Sequence, residues 1–159
     1  MSPASSAAIA IAMQLDSISS AAALIGCTAQ FAGFTAIRAM SWKQNDLGTN
    51  IAQSFLTPKV QVPNIVRNAI LVIGPFLASI ICTPIATLIF NFQVLYELTG
   101  LGLNSFIAPL NILANQEIET FIMYLVVGVF IPAVISVSTY KALQIRGKAY
   151  KGDLRMEVD

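Results

Sequence analysis

Three stretches of the chain, 17–37, 68–96 and 120–140, carry no charged residue at all. A helix needs about 20 mostly apolar residues to cross the hydrocarbon core of a bilayer, and each stretch supplies them. The rest of the composition agrees. Only 11% of the 159 residues are charged and 56% are hydrophobic, whereas a soluble domain is about 25% charged. So few charges cannot cover a water-facing surface. The expected fold class is an all-α membrane protein: about three transmembrane helices, a short N-terminal half-helix, an interfacial helix and a re-entrant loop.

The positions of the charges predict the topology. All nine basic residues fall into two groups: Arg38, Lys43, Lys59 and Arg67, then Lys141, Arg146, Lys148, Lys151 and Arg155. Glu97, Glu117 and Glu119 lie between them with no basic neighbour. Basic residues accumulate on the cytoplasmic side of membrane helices. Segments 38–67 and 141–159 are therefore expected in the cytoplasm and 92–119 on the opposite side. Helices at roughly 18–39, 69–91 and 120–140 join the two levels. Residues 1–140 form the membrane-embedded domain and 141–159 a polar, solvated cytoplasmic tail.

The ends of the elements are set by local chemistry. "MSPASSAAIAIAMQL" lacks the positive start usual in a secretory signal. Its apolar core, Ala7 to Leu15, would reach only about 14 Å as a helix. Asp16 and the serines at 17, 19 and 20 favour helix N-caps. A short first helix, a break and a new helix near Ser17 are expected. Ala22, Gly26, Ala29 and Gly33 then put small side chains on the long helix, where another helix can approach closely. Leu47, Ile51 and Phe55 share a face of an interfacial helix over 45–56. Residues 57–65, with two prolines, should be extended. Pro75 and Pro84 should each bend the second span, with Thr83 and Thr87 available to freed carbonyls.

Several functions find no support. With no His and no CxxC, no metal or haem site is expected, and no cofactor. Cys27 and Cys82 lie in spans and read as small packing residues rather than a disulfide or a reactive thiol. No basic run points to nucleic acid. No catalytic residue is visible, so the chain is not a self-contained enzyme.

Two places could bind a ligand. Gln30 lies well inside the first span, where an amide must find a partner or a wet cavity. It serves either as interhelical glue or as a substrate contact. "LTGLGLNSFIAPLN", residues 98–111, is apolar but broken by Gly100, Gly102 and Pro109, and it carries Asn104, Ser105 and Asn111. Irregular backbone at membrane depth is tolerated only when buried in protein or lining water. The segment is either a re-entrant loop lining a cavity or a loop resting on the membrane surface. Its amides and hydroxyl suit a neutral sugar or a related small polar ligand, which needs donors and acceptors but no counter-ion.

"SSAAIAIAM" (5–13), "GCTAQFAGF" (26–34), "IAQSFLTPKVQVPNI" (51–65) and "GPFLASIICTPIATLIF" (74–90) together resemble the C-terminal half of the enzyme IIC-like integral membrane proteins of the bacterial sugar phosphotransferase system. "VQVPNI" is the most specific of these pieces, and the resemblance covers about residues 4–115. It implies a sugar permease component in the bacterial plasma membrane. Its implied partners are soluble phosphocarrier subunits, and either a second copy of the chain or an N-terminal half. Gln61, Pro63 and Asn64 carry over as motif positions. The candidate ligand contacts are then Gln30, Gln61, Asn64, Asn104, Ser105 and Asn111. The alternative is a non-transporting membrane scaffold, sensor or regulatory subunit derived from such a permease.

Overall fold

The computed structural model describes residues 3–40, 62–103, 106–115, 118–150 and 153. The expected interfacial helix at 45–56, together with Gln61, Asn104 and Ser105, lies outside the described residues. Every regular element among those described is helical.

The first two helices are α1 (Pro3–Ala12) and α2 (Ser17–Ala39). The break between them has a chemical cause on each side. Gln14 takes a left-handed φ of 49°. The Leu15 N–H donates to the Ala10 carbonyl at 3.2 Å and the Gln14 N–H to that of Ile11 at 3.1 Å. This paired arrangement satisfies carbonyls that a helix end leaves open. Asp16 then caps α2, accepting the Ser19 N–H at 2.6 Å. The expected break near Ser17 is thus present.

The second span begins after a short helix, α3 (Val62–Arg67). Residues 62–65 are therefore helical, not extended as their sequence suggested. Pro63 stands second in α3, in the first turn, where a missing N–H costs no intrahelical bond. A 3₁₀ turn at Ala69–Val72 leads into α4 (Ile73–Pro84), which widens into a π-helical turn at Ile85–Ile89. Pro75 stands third in α4, again where a proline is tolerated. The winding changes from 3₁₀ to α just before it. At Pro84 the expectation is closer: the helix changes winding, and the Thr87 hydroxyl donates to the Thr83 carbonyl at 3.0 Å.

The third span runs continuously from Ile118 to Ile145 over 28 residues. It comprises α6 (Ile118–Leu125), a π-helical turn at Val126–Phe130 and α7 (Ile131–Ile145). It outruns the predicted 120–140 at both ends because a helix does not stop where charge begins. Between spans two and three lie a 3₁₀ turn at Tyr96–Leu98 and helix α5 (Ile107–Asn115).

Helices α2, α4 and α7 each pack against the other two. Glycine makes this possible at one point above all. A Cβ on Gly33 would strike the Ser136 hydroxyl of α7 and lie 3.2 Å from the Pro75 Cα of α4. Gly26 meets α4 at Ser79 and Thr83, and Ala29 is fully buried. The small-residue series on α2 is thus a packing seam. Large side chains such as Phe76, Ile80, Leu88 and Val134 face outward, as lipid contact requires.

The bundle has two coherent ends. Ile37, Leu71, Tyr140 and Ala149 cluster at one, beside Arg38 and Lys141. At the other, the Val94 N–H donates to the Ser17 carbonyl at 3.3 Å, so the start of α2 meets the chain just past span two. After Lys141 the described residues are mostly exposed, and the segment begins as helix. Helix α7 continues to Ile145 and ends on Gly147 (φ 67°), with Lys148 N–H donating to the Leu143 carbonyl at 3.0 Å. This turn brings Ala149 back into the apolar cluster.

Candidate functional site

The segment from Leu98 onward turns into the bundle. Gly100 and Gly102 take left-handed φ values of 74° and 57°, which glycine reaches without a Cβ penalty. A Cβ on Gly102 would lie 3.4 Å from the backbone carbon of Cys27. Cys27 is near the middle of α2, so the loop reaches about half the depth of that helix.

Tyr124 of α6 holds the loop there. Its hydroxyl lies 3.0 Å from Thr28 Oγ1 and 3.4 Å from the Gly102 carbonyl. Thr28 donates its own proton to the Leu24 carbonyl at 2.8 Å. The single Tyr124 proton is therefore shared between the Thr28 oxygen and the loop carbonyl. After Phe106 (φ 54°) the chain becomes α5, which returns alongside α6. Its Ala108 and Ile112 are fully buried in the core with Leu24 and Tyr124. Pro109 stands third in α5, so the break comes before it, at the left-handed residues. This is a re-entrant hairpin. Helix α1 packs against its first turn, Tyr96–Leu98, so the two interrupted elements meet.

Two cavities open among the described residues, one of them against the hairpin. The first, of about 290 Å³, is a mainly apolar groove between α2, the hairpin and the third span. Leu103 and Phe106 face Thr35, Ala36 and Ala39 across it. The second, of about 490 Å³, opens at the end away from Lys141. Asn91 and Gln93 line it from the chain after span two, flanked by Phe90 and Phe92. Glu119, Thr120 and Met123 line it from α6. The Ser17 hydroxyl donates to Gln93 Oε1 at 3.0 Å, and Gln93 Nε2 faces Asn91 Oδ1 at 3.5 Å. Asn91 ends the π-helical turn with a left-handed φ of 49°, a conformation asparagine tolerates better than most residues. Phe92 is buried, with its ring 6.3 Å from that of Tyr124. One wall of this cavity therefore rests on the residue that holds the hairpin.

The candidate contacts chosen from sequence are dispersed. Gln30 is half-buried on α2, Asn64 is buried on α3 near the basic end, and Asn111 is half-buried on α5. None of the three lines either cavity. The groups that do gather are Asn91, Gln93, Glu119 and Thr120, with Thr28 and Tyr124 behind them. One signal for them was present: "FNFQ", residues 90–93, alternates aromatic and amide side chains just past a span. Tyr124 gave no signal, because a lone tyrosine in an apolar run looks like core. Among the described residues, no group of His, Cys, Asp or Glu could hold a metal ion.

No curated protein and no solved structure matches the chain. A family model described as "Phosphotransferase system, EIIC" matches residues 1–156. Three apolar helices of spanning length, an all-helical fold and a match over nearly the whole sequence agree: the chain belongs to the EIIC family of the phosphotransferase system.

Proposed function

We propose that this chain is a membrane-embedded sugar permease component of a phosphotransferase system, which binds a neutral sugar and carries it across the bacterial plasma membrane. The family match over residues 1–156 carries this reading. The re-entrant hairpin supports it, since broken elements near the midplane are a common way for transporters to build substrate sites. The basic ends of the spans and the C-terminus face the cytoplasm, by the distribution of Lys and Arg. Gln30, Gln61, Asn64, Asn104, Ser105 and Asn111 are candidate contacts along the path. The chain works with a second copy or an N-terminal half, and with soluble phosphocarrier subunits.

Uptake of labelled sugars into membrane vesicles tests this directly. Accumulation that requires a phosphoryl donor and the phosphocarrier subunits is the expected result. Vesicles rich in the protein that take up no sugar, with or without a donor, would favour the scaffold or sensor reading.

A further inference from the structure

The larger cavity has a chemistry of its own. It combines one carboxylate, two amides and a hydroxyl with the face of Phe90, which is 54% exposed. Ligand pockets typically run from about 300 to 1,000 Å³, so 490 Å³ holds a monosaccharide-sized molecule. A sugar hydroxyl both donates and accepts. Glu119 offers acceptors only, whereas Asn91 and Thr120 offer both roles. The C–H face of a pyranose ring matches an aromatic surface such as Phe90.

The charge around the cavity is one-sided. From residue 68 to residue 140 the sequence contains no Lys or Arg, and its charges are Glu97, Glu117 and Glu119. Lys141 and Arg146 stand at the opposite end of the third span. Among the described residues no Lys or Arg lines the cavity, so a phosphate group entering it would meet the Glu119 carboxylate without a cation from that lining. Glu119 is exposed, so at about 4 Å the repulsion is of the order of 1 kcal/mol, enough to disfavour the ester several-fold. A neutral polyol meets no such barrier.

We infer that the cavity formed by Asn91, Gln93, Glu119 and Thr120 is the loading site for the sugar, and that Glu119 makes it select neutral sugars over their phosphate esters. This rests on the permease reading and adds to it a place and a selectivity. The Ser17–Gln93–Asn91 relay presets the amides. The Phe92–Tyr124 contact links an occupied cavity to the re-entrant hairpin.

The test uses the full chain in nanodiscs, with labelled glucose, mannitol and N-acetylglucosamine as probes and glucose 6-phosphate as competitor. Wild type should bind at least one neutral probe, with the phosphate ester a poor competitor. Glu119→Gln keeps the shape and removes the charge. It should weaken neutral-sugar binding about tenfold, the effect of losing a hydrogen bond to a charged group, and improve competition by glucose 6-phosphate. Asn91→Ala should weaken binding about fivefold. Thermal unfolding checks that both variants remain folded. Sugar binding indifferent to both changes but reduced by Asn111→Ala would overturn this assignment and leave the permease reading standing. Equal competition by glucose 6-phosphate in wild type and Glu119→Gln would overturn the selectivity. If wild type bound no probe and its vesicles took up no sugar, the permease reading would fall, and this inference with it.

Discussion

The two ends of the bundle are built on opposite plans. At the basic end the chain closes over itself. The Asn68 amide donates to Asp153 Oδ2 at 2.7 Å and to the Lys148 carbonyl at 3.3 Å. The Tyr140 hydroxyl donates to the Tyr150 carbonyl at 3.1 Å, above the cluster of Ile37, Leu71 and Ala149. At the acidic end the chain stays open around Asn91, Gln93 and Glu119. The same three helices serve both ends, so the difference lies in the segments that leave them. A turn at Gly147 ties the chain back onto one end, and an asparagine after the π-helical turn borders the cavity at the other.

Four changes probe this contrast, from the largest effect to the smallest. Gly33→Val drives a side chain into Ser136 and Pro75 where all three packed helices meet. Overpacking of this kind should cost about 3 kcal/mol, read as a large drop in thermal stability in detergent; a variant as stable as wild type would mean the helices are not in contact there. Tyr124→Phe keeps the ring against Phe92 but removes the proton shared with Thr28 and Gly102. A cost of about 1.5 kcal/mol is expected, with faster hydrogen exchange in residues 99–103. Unchanged exchange there would separate Tyr124 from the hairpin.

Asn68→Ala tests the basic end and should cost about 1 kcal/mol. Proteolysis near Tyr150 should speed up while sugar binding at the open end holds steady. Asp16 should give the smallest effect. The Ser19 backbone N–H, and then the Ser19 hydroxyl, hold its carboxyl below the ordinary 3.8. A depressed value means that the cap's contribution is complete above the ordinary value and is lost as pH falls through the lowered one. The protection of the Ser19 amide, relative to its intrinsic exchange rate, should therefore fall only in strong acid, and lost protection already near neutral pH would contradict the capping role.

How far the sequence reveals these features depends on the kind of signal. The spans are legible from charge alone, and the break at Asp16 from its capping chemistry, because both are local. Prolines 63 and 109 misled for one shared reason. Each sits in the first turn of a helix, where proline is harmless, and periodicity does not show which turn is first. The depth of Gly102 was legible only as irregular backbone in an apolar segment. Its partner at Cys27 is remote in sequence, and no local pattern names it. The polar cavity was hidden for the same reason: Asn91 and Glu119 come together only when the hairpin folds between them.

The central claim is that the acidic end, with its polar cavity, faces outward and the basic end faces the cytoplasm. Single cysteines introduced by Gln93→Cys and Lys148→Cys, in a chain carrying Cys27→Ala and Cys82→Ala, measure this most directly when a membrane-impermeant thiol reagent is applied to sealed cells. Labelling of the first from outside, and of the second only after the membrane is opened, is the predicted result. Labelling of the position 148 variant in sealed cells, with position 93 protected, would contradict the account.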